Sequence, residues 1–360
     1  MIDTDILITG AGAVGLSCLN QVPPGLTCIL IEKNQSFGQE ASSRNSEVIH
    51  SGIYYPHRSL KTEHCKTGRN ELYRFCQANR IPHRQCGKYV IATNEKEEER
   101  VSELANHCEY EIVPFQRIST EWLKRKLPMV KAKLALFFPL SGVFDSHRYL
   151  QTLETKAREK GAVLSYQSKF IRVLSQEPWV IEVQEQGQIV QIRAKILINA
   201  AGGDAANISN QVLSTDIYEH RFCRGRYFIV KSFFQEPLQV LVYPVPEEDG
   251  LGIHLTPDLQ GTARLGPDTD WDSSFDCDWD SLKSVFLSHT KKYLPDLKSE
   301  NLEPGFIGLR PKLFLKGKAH PDFLLENHGK YIHLLGIESP GLTASLSLGA
   351  EVGRTVEKIL

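Results

Sequence analysis

The chain has 360 residues, of which 41% are hydrophobic and 24% charged, and its formal net charge is −1. That length suggests roughly two domains with a sizeable core, and the near-neutral balance gives no reason to expect a nucleic acid partner. No apolar run approaches the ~20 residues that span a bilayer, and the N-terminus enters a strand with no basic leader, so neither an integral membrane segment nor a secretory signal is expected. A cytoplasmic location follows, with peripheral contact at an inner membrane left open.

The first strand, around Ile6-Leu7-Ile8, runs into Gly10-Ala11-Gly12-Ala13-Val14-Gly15. Gly10 permits a tight turn, Gly12 lets a pyrophosphate approach the backbone, and Gly15 lets the following helix pack close to the sheet. That helix directs its N–H groups and positive dipole end at the phosphates, and Pro23-Pro24-Gly25 ends it. Thr27 to Ile31 reads as the second strand. Glu32, followed by Lys33, stands where a carboxylate accepts bonds from ribose hydroxyls and repels a 2′-phosphate. Next comes Ser42-Ser43-Arg44-Asn45-Ser46, read as a small-polar helix start, and then His50. The glycine fingerprint in this company points to FAD and a redox site.

Further along, Ser59 to Arg80 reads as a helix, Lys88 to Thr93 as a strand and Glu95 to His107 as an exposed helix. Asp145 to His147 caps a helix from about Arg148 to Lys160, stopped by Gly161. Strand-like runs follow at Lys169–Leu174, Trp179–Val183 and Ile189–Ile192, the last two joined by a hairpin at Glu185-Gln186-Gly187. A strand ending in glycine recurs at Lys195 to Gly203, placing Ala201 and Gly202 where backbone approaches a cofactor closely. Strands then recur at Arg226–Val230, Val240–Val245, Gly252–Thr256 and Ala263–Gly266, an antiparallel set able to roof a pocket. Asp278 to Tyr293 reads as a helix. Gly336 to Thr343 is a third glycine-rich patch before a last amphipathic helix, Ala344 to about Ile359. None of the eight cysteines forms a CxxC pair, so reduced, mostly buried thiols are expected and no metal site.

Several longer motifs carry a resemblance. They are Ser43-Arg44-Asn45-Ser46-Glu47-Val48-Ile49-His50-Ser51-Gly52-Ile53-Tyr54-Tyr55, Cys86-Gly87-Lys88, Ser141-Gly142-Val143 and Arg224-Gly225-Arg226-Tyr227-Phe228. Others are Tyr243-Pro244-Val245-Pro246, Gly252 to Thr256, Gly308-Leu309-Arg310-Pro311-Lys312 and Ser339-Pro340-Gly341-Leu342-Thr343. Across essentially the whole chain these resemble the D-amino-acid-oxidase-like FAD oxidoreductases. Within that family they are most similar to the L-2-hydroxyglutarate dehydrogenase/oxidase group. The acidic segment Asp268 to Asp280 departs from the group's pattern and leaves the substrate less defined than the flavin.

The resemblance implies an α/β fold: a Rossmann-like FAD-binding domain of the glutathione-reductase type, discontinuous in sequence (1–84, 142–214 and 303–360). Interleaved with it is a mostly antiparallel α+β substrate domain (85–141 and 215–302). It further implies non-covalent FAD and a small 2-hydroxy acid substrate whose hydride passes to the flavin. The electron acceptor stays open among a quinone, oxygen and a soluble carrier. An amine oxidase of the glycine-oxidase type and a glycerol-3-phosphate-type dehydrogenase are the alternatives.

His50 matches the base of glycerophosphate-oxidising relatives, and His254 is the second candidate for removing the hydroxyl proton. Arg310 offers a planar fork to the substrate carboxylate. Arg224, Arg226 and Lys312 are candidates for a second carboxylate, and Tyr227 and Tyr243 for a hydrogen bond to substrate. Ser42, Ser43, Arg44, Asn45 and Ser46 are expected on the phosphates or ring edge. Gly336, Ser339, Gly341, Leu342 and Thr343, with Pro340 shaping the turn among them, are expected to aim N–H groups at the flavin pyrimidine.

Overall fold

The computed structural model of the chain describes residues 1–246 and 252–360. Two large sheets organise it. The first has eight strands, and its centre is parallel: Gln188–Asn199, Ile2–Thr9, Cys28–Glu32 and Val163–Tyr166 lie side by side in that order. These strands are near-continuous apolar runs, as strands covered on both faces must be; Ile6, Leu7, Ile8 and Leu30 are fully buried. Thr9 lies beside both Asn199 and Ile31, so Gly10, Glu32 and Ala200 emerge together at one carboxyl edge. Ligands of open α/β sheets bind at that edge.

The two runs expected at 189–192 and 195–203 are one strand, Gln188–Asn199, which stops before the glycines. Its first half pairs with Trp179–Glu185 across a hairpin, and its last three residues pair on the same side with Tyr331–Leu335. The hairpin turns on Gln186 and Gly187, both at positive φ, the two-residue turn whose twist suits a hairpin.

The second sheet has nine strands. From one edge it runs Lys318–Ala319, Leu302–Leu315, Tyr218–Val230, Ala263–Leu265, Leu255–Pro257, Leu241–Pro244, Lys88–Ala92, Leu134–Phe138 and Gln116–Ile118. Every pairing is antiparallel except Leu241–Pro244 with Lys88–Ala92. The strand expected at 226–230 begins eight residues earlier, at Tyr218, because its charged residues pair with neighbours instead of marking a loop. Its partner Leu302–Leu315, all but its first residue within the 303–360 expected of the nucleotide domain, belongs to this sheet. It contains Pro304 and Pro311, which a strand tolerates where one side is open, and among the described residues only Phe314 and Leu315 are paired on that side.

The helix expected after Ser42 does not form: residues 41–46 are turns leading to the short strand Val48–Ile49. Asn45 explains this locally. Its Oδ1 accepts from Glu47 N at 2.8 Å and its Nδ2 donates to Ser42 O at 2.8 Å, side-chain bonds that compete with a helix. The other expected helices are present. Ser59 caps Leu60–Ala78, and Asp145 caps Ser146–Glu159, which starts two residues before the expected 148. The last helix, Gly341–Ile359, lies against Ala13–Asn20 and Leu60–Ala78 and buries Ala344, Leu348, Val352 and Val356. All eight cysteines are free thiols, six of them buried. Among the described residues no helix is long and apolar enough to cross a membrane.

Candidate active site

Two cavities meet at the N-terminus of the first helix. The first lies over the carboxyl edge of the parallel sheet and is lined by Gly10, Gly12, Glu32, Lys33, Ala201 and Gly202. The second lies between the sheets and is lined by His50, Tyr227, Tyr243, His254 and Arg310, with residues 337–343. Ala41 and Ser42 line both, and the wall passes from Gly12 in the first to Ala13 and Val14 in the second.

Gly10 sits at φ +96°, and a Cβ there would lie 2.5 Å from the Ala200 carbonyl oxygen, so only glycine fits this turn. The Glu32 carboxylate stiffens the loop: Oε2 accepts from Ala11 N and Oε1 from Asn34 N, both at 2.8 Å. Lys33 bridges Glu40 and Asp204 at 2.6 and 2.7 Å beside the same cavity. Ser42 Oγ accepts from Ala13 N at 3.0 Å, so the serine-rich turn is fastened to the start of the first helix. Asn45 and Ser46 line the second cavity, whereas Ser43 is exposed and bonds Glu40 O. Arg44 is also exposed; it lines the second cavity, and its guanidinium lies 4.7 Å from the centre of the Phe275 ring.

At the far end Thr343 joins two of the expected segments. Its Oγ1 accepts from His50 N at 3.1 Å and donates to Val48 O at 3.2 Å. Ser339 Oγ lies 3.4 Å from His50 Nε2. Pro340 precedes the last helix, which opens on the cavity through Gly341, Leu342 and Thr343. Gly336 stands apart, because its N–H is taken by His220 Nε2 at 3.1 Å. His50 is half-buried, and burial, with the positive charge of Lys88 adding, pulls its imidazole down to about 3. It is therefore a neutral proton acceptor at any ordinary pH. His254 stacks on Tyr243 with ring centres 3.5 Å apart, and Tyr227 stacks on Phe306 at 4.3 Å.

Arg310 reaches this cavity held by backbone carbonyls. Nη2 donates to Asp268 O at 2.8 Å and Arg224 O at 3.1 Å. Among the described residues none of its hydrogen bonds uses Nη1, which leaves donors for a ligand. The three cations expected to meet a second carboxylate are already compensated. Arg224 pairs with Asp270 and Asp272 at 2.8 and 2.9 Å, and Arg226 with Asp268 and Asp270. Lys312 shares the buried Glu338 carboxylate with Lys61. The acidic segment after Gly266 thus serves to neutralise two strand arginines. Asp268→Ala, which takes from Arg226 the nearer of its two carboxylates and leaves Asp270, should cost about 2 kcal/mol of stability, whereas Asp280→Ala, which breaks an exposed pair with Lys283, should cost under about 1 kcal/mol. Denaturant melts of the two variants measure this.

Sequence reasoning assigned no role to Lys88 or Glu338. Lys88 lay in a quoted motif, but a lysine inside an apolar strand reads as a solvated or snorkelling residue until its burial is seen.

The family model for FAD dependent oxidoreductases (DAO) matches residues 5–354. The mitochondrial L-2-hydroxyglutarate dehydrogenase of Arabidopsis thaliana is 32% identical, over 97% of this chain and 82% of the plant protein. The L-2-hydroxyglutarate dehydrogenase of Escherichia coli K12 is 25% identical, over 99% and 94%. Among solved structures, the FAD-bound L-α-glycerophosphate oxidase of Mycoplasma pneumoniae superposes with a TM-score of 0.88 at 24% identity, over 99% of this chain and 95% of that one. Glycine oxidase from Bacillus cereus gives 0.82 at 19%, over 99% and 95%.

Proposed function

This chain belongs to the FAD dependent oxidoreductase family, and on that premise we propose that it oxidises a 2-hydroxy acid of the L-2-hydroxyglutarate class to the 2-oxo acid. The observation that carries this reading is that a neutral imidazole, His50, and an arginine with uncommitted donors, Arg310, line one cavity that adjoins the glycine-lined cavity over the parallel sheet. The two cavities together fit FAD. Gly10, Gly12 and Glu32 would hold the adenosine and pyrophosphate side, and Ser42, Asn45, Ser46 and residues 339–343 the flavin side. When bound, the flavin supplies the hydride acceptor. The protein's own residues do the rest: Arg310 anchors the carboxylate, His50 takes the hydroxyl proton at Nε2, and Tyr227 and Tyr243 close the wall.

We assign residues 1–84, 142–214 and 316–360 to the cofactor unit and the remainder, with the strand Leu302–Leu315, to the substrate unit. Anaerobic flavin bleaching across a panel of 2-hydroxy acids, amino acids and glycerol 3-phosphate tests the substrate class. Bleaching by amino acids alone overturns it. Arg310→Ala should act mainly through KM, by about 2–3 kcal/mol, with a smaller loss of kcat from a misaligned substrate. Steady-state kinetics of FAD-loaded variant and wild type supply the comparison.

A further inference from the structure

Lys88 is fully buried, and among the described residues its ammonium finds no hydrogen-bond partner. Desolvating such a charge without a partner is costly, and proteins seldom keep one without use. What surrounds it is aromatic: Nζ lies 4.7 Å from the centre of the Tyr243 ring and 5.0 Å from that of Tyr54. The sheet explains the arrangement. Lys88–Ala92 pairs with Leu241–Pro244, which pairs on its other side with Leu255–Pro257. Tyr243 therefore stands between Lys88 on one side and His254 on the other. Tyr243 and His254 line the second cavity, so one ring separates it from the buried charge.

Charge balance sharpens the point. Arg224, Arg226 and Lys312 are matched by carboxylates, and so is Arg264, by Glu47 and Asp258. Glu338, which lines the same cavity, is held by Lys61 and Lys312. Cys65 and Cys108, the thiols facing Lys88, are raised by burial to about 12 and stay neutral. Tyr54 and Tyr243 are likewise raised and uncharged. Among the described residues, Arg310 and the exposed Arg44, which lies against the Phe275 ring, line this cavity with no carboxylate partner, and Lys88 is a buried positive charge behind its wall that no carboxylate answers.

We propose that Lys88 is a specificity-determining residue: its uncompensated charge, acting across the Tyr243 ring, makes the cavity prefer a substrate with two carboxylates over one with a single carboxylate. This rests on the 2-hydroxy-acid reading and deepens it. Arg310 meets the carboxylate next to the reacting carbon, and the field of Lys88 favours a second negative charge without touching it. A dianion feels that field at both ends and a monoanion at one, so removing the charge weakens the dianion more. Lys88 itself is pulled down to about 8 by burial, so the preference should fade as pH rises through that value.

The test uses the FAD-loaded enzyme at pH 7 and two non-reacting probes, glutarate and butyrate, titrated by their perturbation of the flavin spectrum. Lys88→Met should weaken glutarate about tenfold and butyrate about threefold, and Lys88→Arg should restore most of the difference. Lys88→Met removes a desolvated charge and is expected to fold; Lys88→Gln is the second neutral variant should methionine not be accommodated. Equal weakening of both acids, or none, overturns the proposal, because a merely structural lysine moves the two together. If neither acid perturbs the wild-type flavin, the acid-binding reading of the cavity falls and takes this one with it.

Discussion

His50→Ala, isolated with its FAD bound, is expected to reduce its flavin about 10²–10⁴-fold more slowly with the true substrate, the usual cost of losing a general base. A hydroxyl must shed its proton as hydride leaves, and His50 is an imidazole on the cavity wall that burial keeps neutral. The sign of its pH dependence follows. Burial draws His50 from the ordinary 6.5 down to about 3, so it stays unprotonated throughout the working range and as the base would contribute no acid limb to flavin reduction until pH falls towards 3. Between those two values the unfolded chain binds a proton here that the folded chain refuses. Folding stability therefore falls as pH drops from 6.5 to 3, and the alanine variant lacks that component. An acid limb between pH 5 and 7 that survives in His50→Ala belongs to another group. Stopped-flow reduction across pH gives both results. If the FAD-loaded variant keeps a near-normal rate, the base lies elsewhere and His254, one ring away on Tyr243, is next.

The parts of this molecule that the sequence disclosed are those where one residue type has one physical use. Gly10 at positive φ, the buried run Ile6-Leu7-Ile8, the Asp145 cap and the Gln186-Gly187 turn each need only local chemistry to be recognised. What escaped depended on partners distant in sequence. Arg224 and Arg226 looked like free cations because the carboxylates that neutralise them lie more than forty residues on, in a segment with no regular structure of its own. The strand Leu302–Leu315 was hidden by two prolines that only an open sheet edge permits. Lys88 was quoted for its motif and given no task, since nothing in an apolar strand says that its one long polar side chain turns inward against two tyrosines. The polar half of the site is thus written in cross-strand pairings, and the nucleotide half in a contiguous run.

Gly12→Glu should produce a folded protein that purifies without FAD, retaining less than about a tenth of the wild-type flavin. Gly12 is the point at which the two cavities join: it lines the first, and Ala13 lines the second. An extended dinucleotide occupying both must cross there with its pyrophosphate, beside the first-turn N–H groups of the helix Ala13–Asn20. The backbone at Gly12 has φ −77° and ψ −179°, a conformation open to any residue, so the substitution acts through bulk and charge and not through backbone strain. A Cβ would lie 3.2 Å from Ser42 Oγ, the atom that accepts from Ala13 N. A methyl group asks only a slight shift of that hydroxyl, and Gly12→Ala should keep most of its flavin. The glutamate adds a carboxylate beside a diphosphate. At about 4 Å and an effective dielectric near 20, one such like-charge contact costs about 4 kcal/mol, close to a thousandfold in affinity. Flavin absorbance per protein, read with circular dichroism and for both variants, separates lost binding from lost fold. Full FAD occupancy in folded Gly12→Glu would place the pyrophosphate somewhere other than this turn.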